Sequence, residues 1–291
     1  MSNTPSFSRR DLIRTSAGVI AAATCGSAAG AEPLQDATPE RDTWHGLKLS
    51  VASYTFHAQS LEVTLKDINR TGLKYVSIKD VHLPFNTTAQ ERKAIAQRFI
   101  DAGITPLSCG NVSMKNDEAD VRRAFEYARD IGLPTIVCAP HPDSMPILDR
   151  MVKEFDIKLA IHNHGPEDKH FPTPESVWNA AKPFDKRIGL CIDVGHAARA
   201  GADPVADILR YRERLYDMHL KDIATLTPRA AAIEVGRGVL NIQGMMKNLL
   251  KIHYTHLVSF EYEKNDPDPL PGLMESMGYV RGVVHGLKGR V

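Results

Sequence analysis

The chain has little of several features that would assign it to a protein class at once. Its 36 lysines and arginines are balanced by 35 aspartates and glutamates, and no basic run occurs. Because phosphate neutralisation dominates nucleic-acid affinity, proteins that bind nucleic acid normally carry a basic surface. The sequence also lacks the uninterrupted apolar run of about 20 residues that a membrane helix needs. We therefore expect neither a nucleic-acid partner nor a membrane span.

Residues 1–31 have the features of a twin-arginine signal peptide. Ser8-Arg9-Arg10 precedes a weakly apolar stretch from Ala17 to Thr24, and Ala29-Gly30-Ala31 offers the small residues that suit signal peptidase. We expect cleavage after Ala31 and export of the folded protein to the periplasm. The alternatives are a disordered basic tail and lipidation of Cys25, whose neighbours match a lipobox poorly. Cleavage removes three arginines and one aspartate, which takes the formal charge from +1 to −1.

Cysteine is scarce, with four in the whole chain. Cys109, Cys138 and Cys191 would remain after cleavage, and each lies within an apolar run. An odd number of cysteines argues against a disulfide framework, and free cysteine behaves as a small apolar side chain. We therefore predict three buried thiols.

From Leu47 onward, short β-branched runs alternate with longer segments of helical period. Eight such βα units, in a length close to the ~250 residues typical of the fold, predict a single-domain α/β structure, the (β/α)8 TIM barrel. We assign the barrel to residues 47–291 and an N-terminal arm to residues 32–46. The predicted strands are Leu49 to Phe56, Tyr75 to Val81, Thr105 to Cys109, Thr135 to Ala139, Lys158 to His162, Gly189 to Asp193, Leu215 to His219 and His256 to Glu261.

Local signals at the ends of the intervening helices support this pattern. Capping oxygens or first-turn prolines predict helix starts, and glycines that accept a left-handed backbone predict helix ends. The predicted starts are at Thr88, Asp117, Thr173-Pro174 and Asp203-Pro204, and the predicted ends are at Gly72, Gly103 and Gly132.

Side chains with metal-binding chemistry follow four of the predicted strands. His162, Asp193, His219 and Glu261 stand at strand ends in the second half of the chain. In a TIM barrel the carboxyl ends of the strands meet at one face, so we expect these side chains to converge. Two imidazoles and two carboxylates suit Mn²⁺, Zn²⁺, Co²⁺ or Fe²⁺ better than Ca²⁺. We therefore predict one divalent metal ion bound by this set.

His164 is a second imidazole on the same strand face as His162, because side chains two residues apart in a strand point the same way. Two roles are therefore open to it. Either His164 replaces His162 as the metal ligand, or it faces the substrate.

Four motifs in the second half of the chain resemble those of one known family. They are Asp193-Val194-Gly195-His196, His219-Leu220-Lys221-Asp222, Gly236-Arg237-Gly238 and Ser259-Phe260-Glu261-Tyr262-Glu263. In this order and spacing they resemble the sugar phosphate isomerase/epimerase family, the xylose isomerase-like barrels that also include endonuclease IV. The resemblance covers residues from about Lys48 onward. It implies that Asp193, His219 and Glu261 bind a divalent metal and that His196 contacts a substrate hydroxyl.

The chain departs from this family at two strand ends. Many of its isomerases have a glutamate at the end of the fifth strand, which shuttles a proton together with the one on the eighth, whereas this chain has His162 in an Ile-His-Asn-His motif. Relatives often have a glutamate on the second strand, whereas this chain has Lys79-Asp80. Lys79 could act as a base, bind an oxyanion, or form an ion pair with Asp80 or another neighbour.

The resemblance implies a metal-dependent isomerase or epimerase that enolises an unphosphorylated sugar or keto-sugar. The metal would act as a Lewis acid and Glu261 would serve as both ligand and catalytic residue. Candidates for moving the proton are His164, Lys79 and Glu263. Candidates for holding hydroxyls or a developing enolate are His196, Lys221 and Arg237, and Glu263 is also a candidate substrate contact.

Other activities remain open on the same scaffold. The missing strand-five glutamate and the expected export favour, as a runner-up, a 3-keto-glycoside lyase or a 3-keto-2-hydroxyglucal hydratase. A non-catalytic sugar-binding protein would leave its ligand unchanged and would not respond to a chelator. A nuclease similar to endonuclease IV would need a trinuclear zinc cluster with more ligands than the sequence offers, and a basic groove.

Overall fold

Eight parallel strands close into a barrel in the computed structural model, which describes residues 42–287 and 289. Each strand pairs with the next along the chain, and the first pairs with the last. The prediction of a TIM barrel is therefore confirmed. The strands are β1 (Lys48–Ala52), β2 (Tyr75–Ile78), β3 (Thr105–Met114), β4 (Thr135–Pro140), β5 (Lys158–His162), β6 (Ile188–Asp193), β7 (Leu215–Leu220) and β8 (Leu257–Phe260).

Helices connect the strands and cover the outside of the barrel. They are α1 (Leu61–Thr71), α2 (Ala89–Asp101), α3 (Glu118–Asp130), α4 (Met145–Phe155), α5 (Pro174–Ala181), α6 (Val194–Arg199), α7 (Pro204–Arg210), α8 (Ile242–Lys251) and α9 (Leu270–Leu287). Short 3₁₀ turns lie at Ser53–Phe56, Pro142–Ser144 and Arg212–Arg214. Asp222–Ile223 and Ala232–Ile233 form a small antiparallel hairpin between β7 and α8.

The predicted helix ends are confirmed. The Thr88 hydroxyl accepts the N–H of Glu91, and the Glu91 carboxylate accepts the N–H of Thr88 at 2.8 Å, which satisfies two free amides at the start of α2. The same capping role at the other three predicted starts is played by Asp117, Thr173 and Asp203. The backbone is left-handed at Gly72, Gly103 and Gly132, with φ of 75°, 76° and 72°.

Three predicted strand ends were wrong by three residues or more, and three others by a single residue. β1 ends at Ala52 and not at Phe56, because the chain turns there and its hydroxyl groups bind neighbouring segments: Ser53 accepts the Lys79 N–H and Thr55 the Tyr262 N–H, both at 2.9 Å. β2 ends at Ile78. β3 runs on to Met114, with a register shift against β4 after Cys109.

Strand side chains are buried on both faces, because the helices cover the sheet from outside. Residues with no exposed surface include Val76, Ile136, Leu159, Leu190 and Val258. The three thiols predicted to be buried, Cys109, Cys138 and Cys191, are buried and free. Burial raises the pKa of Cys109 to about 12, so this thiol stays protonated and packs as an apolar group.

The predicted signal peptide and residues 32–41 of the predicted arm lie outside the described residues. The first described segment, residues 42–46, is a turn before β1, where Trp44 packs against the core. In the part of the chain that the structure describes, no helix combines the length and the apolar character that a membrane crossing requires.

Candidate metal centre and active site

Four side chains at the carboxyl ends of β5 to β8 form one buried cluster. Nε2 of His162 lies 3.1 Å from Nδ1 of His219 and 3.5 Å from Oδ2 of Asp193. Oε2 of Glu261, just beyond β8, lies 3.2 Å from Nδ1 of His219. One ligand atom from each residue lies within 4.8 Å of all the others. The structure therefore brings together the four residues proposed from the sequence as metal ligands.

The chemistry of this cluster fits a divalent cation. Asp193 has no exposed surface, and among the described residues its Oδ2 atom accepts no hydrogen bond of good geometry, although the Lys221 ammonium lies 3.1 Å away. A buried carboxylate is costly unless cations neutralise it, and a coordinated metal ion would add to the neutralisation by Lys221. Two imidazole nitrogens and two carboxylate oxygens form a mixed ligand set that suits zinc, manganese, iron or cobalt.

The protonation states of the cluster also favour a metal. Burial lowers the pKa of His162, and it lowers the pKa of His219 to about 4, so both imidazoles are neutral at pH 7. Burial opposes ionisation of Asp193 and Glu261, but Lys221 beside both carboxylates and His219 beside Glu261 hold their pKa values well below the usual range. Neutral imidazole and ionised carboxylate are the forms that bind metals.

Lys221 lies between the carboxylates of Asp193, Glu261 and Glu263. Its Nζ atom is 2.9 Å from Oε2 of Glu261, 3.1 Å from Oδ2 of Asp193 and 3.4 Å from Oε1 of Glu263. A Cβ atom on Gly195 would lie 2.7 Å from the Lys221 side chain, so the glycine of the Asp-Val-Gly-His motif makes room for it. The structure pairs Lys221 with these carboxylates and does not place it in the lining of the adjacent cavity, so its expected contact with substrate hydroxyls stays a prediction.

Lys79 is the second cation beside the cluster. It is 4% exposed, and its Nζ atom lies 3.4 Å from Oε1 of Glu261 and 3.4 Å from Nε2 of His219. The ion pair with Asp80, one of the alternatives considered from sequence, does not form, because the two side chains diverge at the end of β2: Lys79 is buried and Asp80 is exposed.

A cavity of about 250 Å³ opens over the cluster at the carboxyl end of the barrel. The predicted proton-transfer candidates His164, Lys79 and Glu263 all line it, as does the predicted substrate contact His196. The full set of lining residues is Tyr54, Lys79, Asp80, Asn111, His162, His164, His196, His219, Glu261 and Glu263. Each of these residues carries a polar group, which suits a ligand rich in hydroxyl groups.

His164 and His196 stand side by side on one wall, with ring centroids 4.5 Å apart. Arg199 donates to Nδ1 of His196 at 3.0 Å and is itself paired with Glu167. Because a guanidinium can only donate, the neutral His196 ring carries its proton on Nε2. Burial lowers the pKa of both histidines, whereas burial raises the pKa of Glu263.

Arg237 does not reach the cavity, contrary to the expectation from sequence. Its side chain is 61% exposed and forms an ion pair with Glu275 of α9, at 2.8 Å between Nη2 and Oε2. The direction of this loop is fixed by Asp222, whose Oδ2 atom accepts the N–H groups of Gly236 and Gly238 at 2.9 and 3.0 Å. Asp222 thus holds the loop backbone, and Arg237 points to the outside.

Three residues of the site were missed from the sequence. Asn163 is fully buried behind Asp193: its Nδ2 donates to the Asp193 carbonyl at 3.1 Å, and its Oδ1 accepts the Asp193 N–H at 3.0 Å. Its place between two histidines at a strand end was the available signal. Tyr54 and Asn111 line the cavity from segments whose course was mispredicted.

Comparisons with known proteins agree with this architecture. Residues 65–282 match the family described as xylose isomerase-like TIM barrel. A curated relative, the rhizopine catabolism protein MocC of Rhizobium meliloti, is 29% identical over 148 residues. That match covers 46% of this chain and 45% of the relative, so it spans less than half of the relative's length.

Solved structures share the fold at low sequence identity. A D-tagatose 3-epimerase-like protein is 16% identical with a TM-score of 0.67, over 84% of this chain and 99% of its own. The 3-keto-D-glucoside 4-epimerase YcjR of E. coli is 16% identical with a TM-score of 0.65, over 81% and 99%. The IOLI protein, solved with a zinc atom, is 15% identical with a TM-score of 0.66, over 81% and 98%. By its match to the family and its closed eight-stranded barrel, the chain belongs to the xylose isomerase-like TIM barrel family.

Proposed function

We propose that the protein is a divalent-metal-dependent enzyme that isomerises or epimerises an unphosphorylated sugar or keto-sugar by removing a proton next to a carbonyl group. The observation that carries this proposal is the convergence of His162, Asp193, His219 and Glu261 beneath a polar cavity of about 250 Å³. That volume is just below the ~300 Å³ at which pockets for drug-sized molecules begin, and it suits one sugar ring.

The four clustered residues would hold the metal, which when bound would act as a Lewis acid and make the neighbouring carbon-bound proton more acidic. Asn163 fixes the backbone of Asp193 through two hydrogen bonds and so keeps its carboxylate aimed into the cluster. Lys221 keeps both carboxylates ionised. These supporting residues hold the ligands in one arrangement before a cation arrives.

Two residues that line the cavity are our candidates for moving the proton. Burial and the nearby His196 lower the pKa of His164, so its imidazole is neutral at pH 7 and can accept a proton. Burial raises the pKa of Glu263, which brings this carboxyl closer to the pH range in which it can return a proton. We assign His164 as the base and Glu263 as the acid.

Negative charge that develops on the sugar oxygens would be met by cations and donors of the cavity. The Lys79 ammonium faces the cavity beside Glu261, and the Nε2–H of His196 is a donor fixed by Arg199. Donors already in place cost no reorganisation during the reaction, which is the main source of electrostatic stabilisation in enzymes.

A second candidate function is β-elimination or hydration of a 3-keto-sugar, and one observation favours it. β5 contributes the imidazole of His162 where a carboxylate could face Glu261, so two equivalent carboxylates on opposite sides of the sugar are not found in the described part of this site. Epimerisation needs proton transfer on both faces of one carbon. Elimination needs it on one face only, followed by loss of the leaving group from the next carbon.

The similar proteins support a role in carbohydrate chemistry. They include a D-tagatose 3-epimerase-like protein and a 3-keto-D-glucoside 4-epimerase, and a third protein on this fold was solved with zinc. We further propose that residues 1–31 direct the protein through the twin-arginine route to the periplasm. Fractionation of cells that express the full chain, with Arg9 and Arg10 both replaced by lysine as the control, tests this.

The reaction is tested by incubating the metal-loaded protein in D₂O with 3-keto-glucosides, with 3-keto-2-hydroxyglucal and with free aldoses and ketoses, followed by NMR and mass spectrometry. An isomerase or epimerase gives a product with the composition of the substrate, except that solvent deuterium replaces a carbon-bound hydrogen. A lyase releases the aglycone, and a hydratase gains or loses water. Turnover that is unaffected by chelation, or no turnover of any of these sugars, contradicts the proposal.

A further inference from the structure

A second cavity of about 280 Å³ lies beside the active-site cavity, at the ends of β2 and β3 and against α3. Asp80 and Asn111 line both cavities, so the two spaces meet at these side chains. The residues that line only the second cavity include Phe85, Ser113, Arg123 and Tyr127. None of these four takes part in the proposed chemistry.

The side chains at the junction are free to bind a ligand. Asp80 and Asn111 are both exposed, and in the stretch from residue 42 to 287 the carboxylate of Asp80 and the amide of Asn111 make neither a hydrogen bond nor an ion pair. Polar side chains in a cavity that are not used by the protein itself are the groups that fix a ligand's orientation. A carboxylate and an amide together accept from and donate to sugar hydroxyls.

The wall of the second cavity is held in place by its own contacts. The rings of Phe85 and Tyr127 stack with centroids 4.5 Å apart, and the Tyr127 hydroxyl donates to the Leu83 carbonyl at 2.7 Å. The Arg123 guanidinium lies 5.5 Å from the Phe85 centroid and is bound to Asp120 at 2.7 Å. These contacts hold the cavity wall in place before any ligand arrives, and such preorganisation favours affinity.

We propose that this cavity is a subsite for a second sugar unit, so that the substrate is a disaccharide or a longer glycoside whose reacting ring lies over the metal cluster. This inference rests on the proposed function and narrows its substrate class. The active-site cavity has room for one ring, and the adjoining space is equally large and opens from it at two unengaged polar side chains. A free monosaccharide would leave the second cavity to water.

The test compares two ligands of the same anomeric configuration on the metal-loaded full chain. They are a 3-keto-disaccharide and the corresponding methyl 3-keto-glucoside, and both calorimetric affinity and turnover by NMR are measured. We expect the disaccharide to bind at least about tenfold more tightly, the difference that one or two well-placed contacts provide. Equal affinity of the two ligands overturns the subsite.

Two variants identify the place of binding. Ser113→Phe places a large ring in the second cavity and is expected to bring the two affinities to within about twofold of each other. Lys115→Phe introduces the same side chain two residues further along, outside both cavities, and should retain the preference for the disaccharide. A preference that survives Ser113→Phe overturns the proposal. Should circular dichroism show that Ser113→Phe is unfolded, Arg123→Ala is used in its place, because it removes a side chain that lines the second cavity, and it should reduce the preference for the disaccharide. Its control is Arg122→Ala, on the outer side of α3 where Arg122 binds Glu154, which should retain the preference.

The experiment separates this inference from the proposed function. Tight binding of the disaccharide without turnover supports the subsite and contradicts the reaction. Turnover of both sugars with the same KM supports the reaction and contradicts the subsite. Neither binding nor turnover overturns both.

Discussion

The Lys79 Nζ atom lies 3.4 Å from Oε1 of Glu261, while Lys221 Nζ lies 2.9 Å from the other oxygen of the same carboxylate. One glutamate therefore stands between two buried ammonium groups. The two lysines differ in place, because Lys79 faces the cavity and Lys221 does not. Lys221 thus helps to keep the Glu261 carboxylate ionised, while the Lys79 ammonium lines the cavity beside it.

Replacement of Lys79 by methionine is expected to lower kcat about 100-fold or more, because it removes the cation nearest to the developing negative charge. Methionine has a similar shape, so the barrel should keep its fold. Metal affinity is expected to remain unchanged or to rise, because one competing positive charge beside Glu261 is lost. Kinetics and metal analysis check both, with the exposed Lys74→Met as control. A fall in metal content with unchanged kcat in the loaded fraction would show that Lys79 only supports the ligands.

The two histidines of the Ile-His-Asn-His motif are expected to affect metal binding differently when each is replaced by alanine. His162→Ala removes a ligand and should abolish metal binding together with activity. His164→Ala should retain the metal and lose about 100-fold or more in kcat, because a positioned base contributes this much. Metal content after dialysis, measured beside kcat, distinguishes the two. The reverse pattern would make His164 the ligand.

Removal of the metal is also expected to lower stability, since a ligand that binds the folded state only stabilises it by about 2.7 kcal/mol at 100 times its dissociation constant. His164→Ala and the unchanged protein should both lose this increment on chelation, and His162→Ala should not respond. Thermal melts with and without chelator measure it.

Asn163→Ala is expected to affect the metal through Asp193. The substitution deletes both hydrogen bonds that hold the Asp193 backbone and leaves a buried N–H and carbonyl unpaired, at a cost of about 2–4 kcal/mol in the free energy of unfolding. Loss of such supporting contacts typically weakens metal affinity about 10- to 100-fold. Asn179→Ala on α5 is the control. Lower stability with unchanged metal affinity would limit Asn163 to a structural role.

Arg237→Ala is expected to change KM and kcat less than about twofold. The sequence motif placed this residue at the substrate, whereas the structure pairs it with Glu275 on the surface. An exposed ion pair of this kind contributes about 0–1 kcal/mol, so stability should change little as well. A tenfold rise in KM would show that the loop turns inward when substrate binds.

The sequence predicts the barrel and the convergence of the four clustered side chains because both depend on local patterns. A strand of β-branched residues that ends in His162 or Asp193 carries its functional side chain to the same face of the barrel wherever the strand begins. Lys221 and Arg237 show where this reasoning fails. Their directions are set by distant partners, the carboxylates of the cluster for one and Asp222 with Glu275 for the other, and no spacing in the sequence encodes those contacts.

The second cavity could not be predicted for a related reason. It depends on β3 running past Cys109 to Met114 with a shift in register, and an apolar run alone does not encode such a shift. Asn111 therefore fell in a predicted loop. Tyr54 was placed in a strand, although β1 ends at Ala52.

Asp217 gives the protein a pH-dependent stability that is independent of the proposed reaction. Its side chain points into the barrel, is fully buried, and accepts the N–H of Met218 at 2.8 Å. Burial raises the pKa of Asp217 to about 7, although hydrogen bonds and the Lys79 charge oppose that rise. A carboxyl whose pKa is higher in the folded than in the unfolded chain stabilises the fold below its unfolded pKa of ~3.9. That contribution is lost as the pH rises through about 7.

Asp217→Asn cannot ionise and should remove this loss. The stability of the variant relative to the unchanged protein is expected to be higher at pH 8.5 than at pH 5.5, by on the order of 2 kcal/mol, because each pKa unit is worth about 1.4 kcal/mol. Urea unfolding at both pH values measures the difference, and the exposed Asp268→Asn should show none. If the difference in the free energy of unfolding between Asp217→Asn and the unchanged protein is the same at both pH values, Asp217 is already ionised at pH 5.5, and the Lys79 charge outweighs the effect of burial.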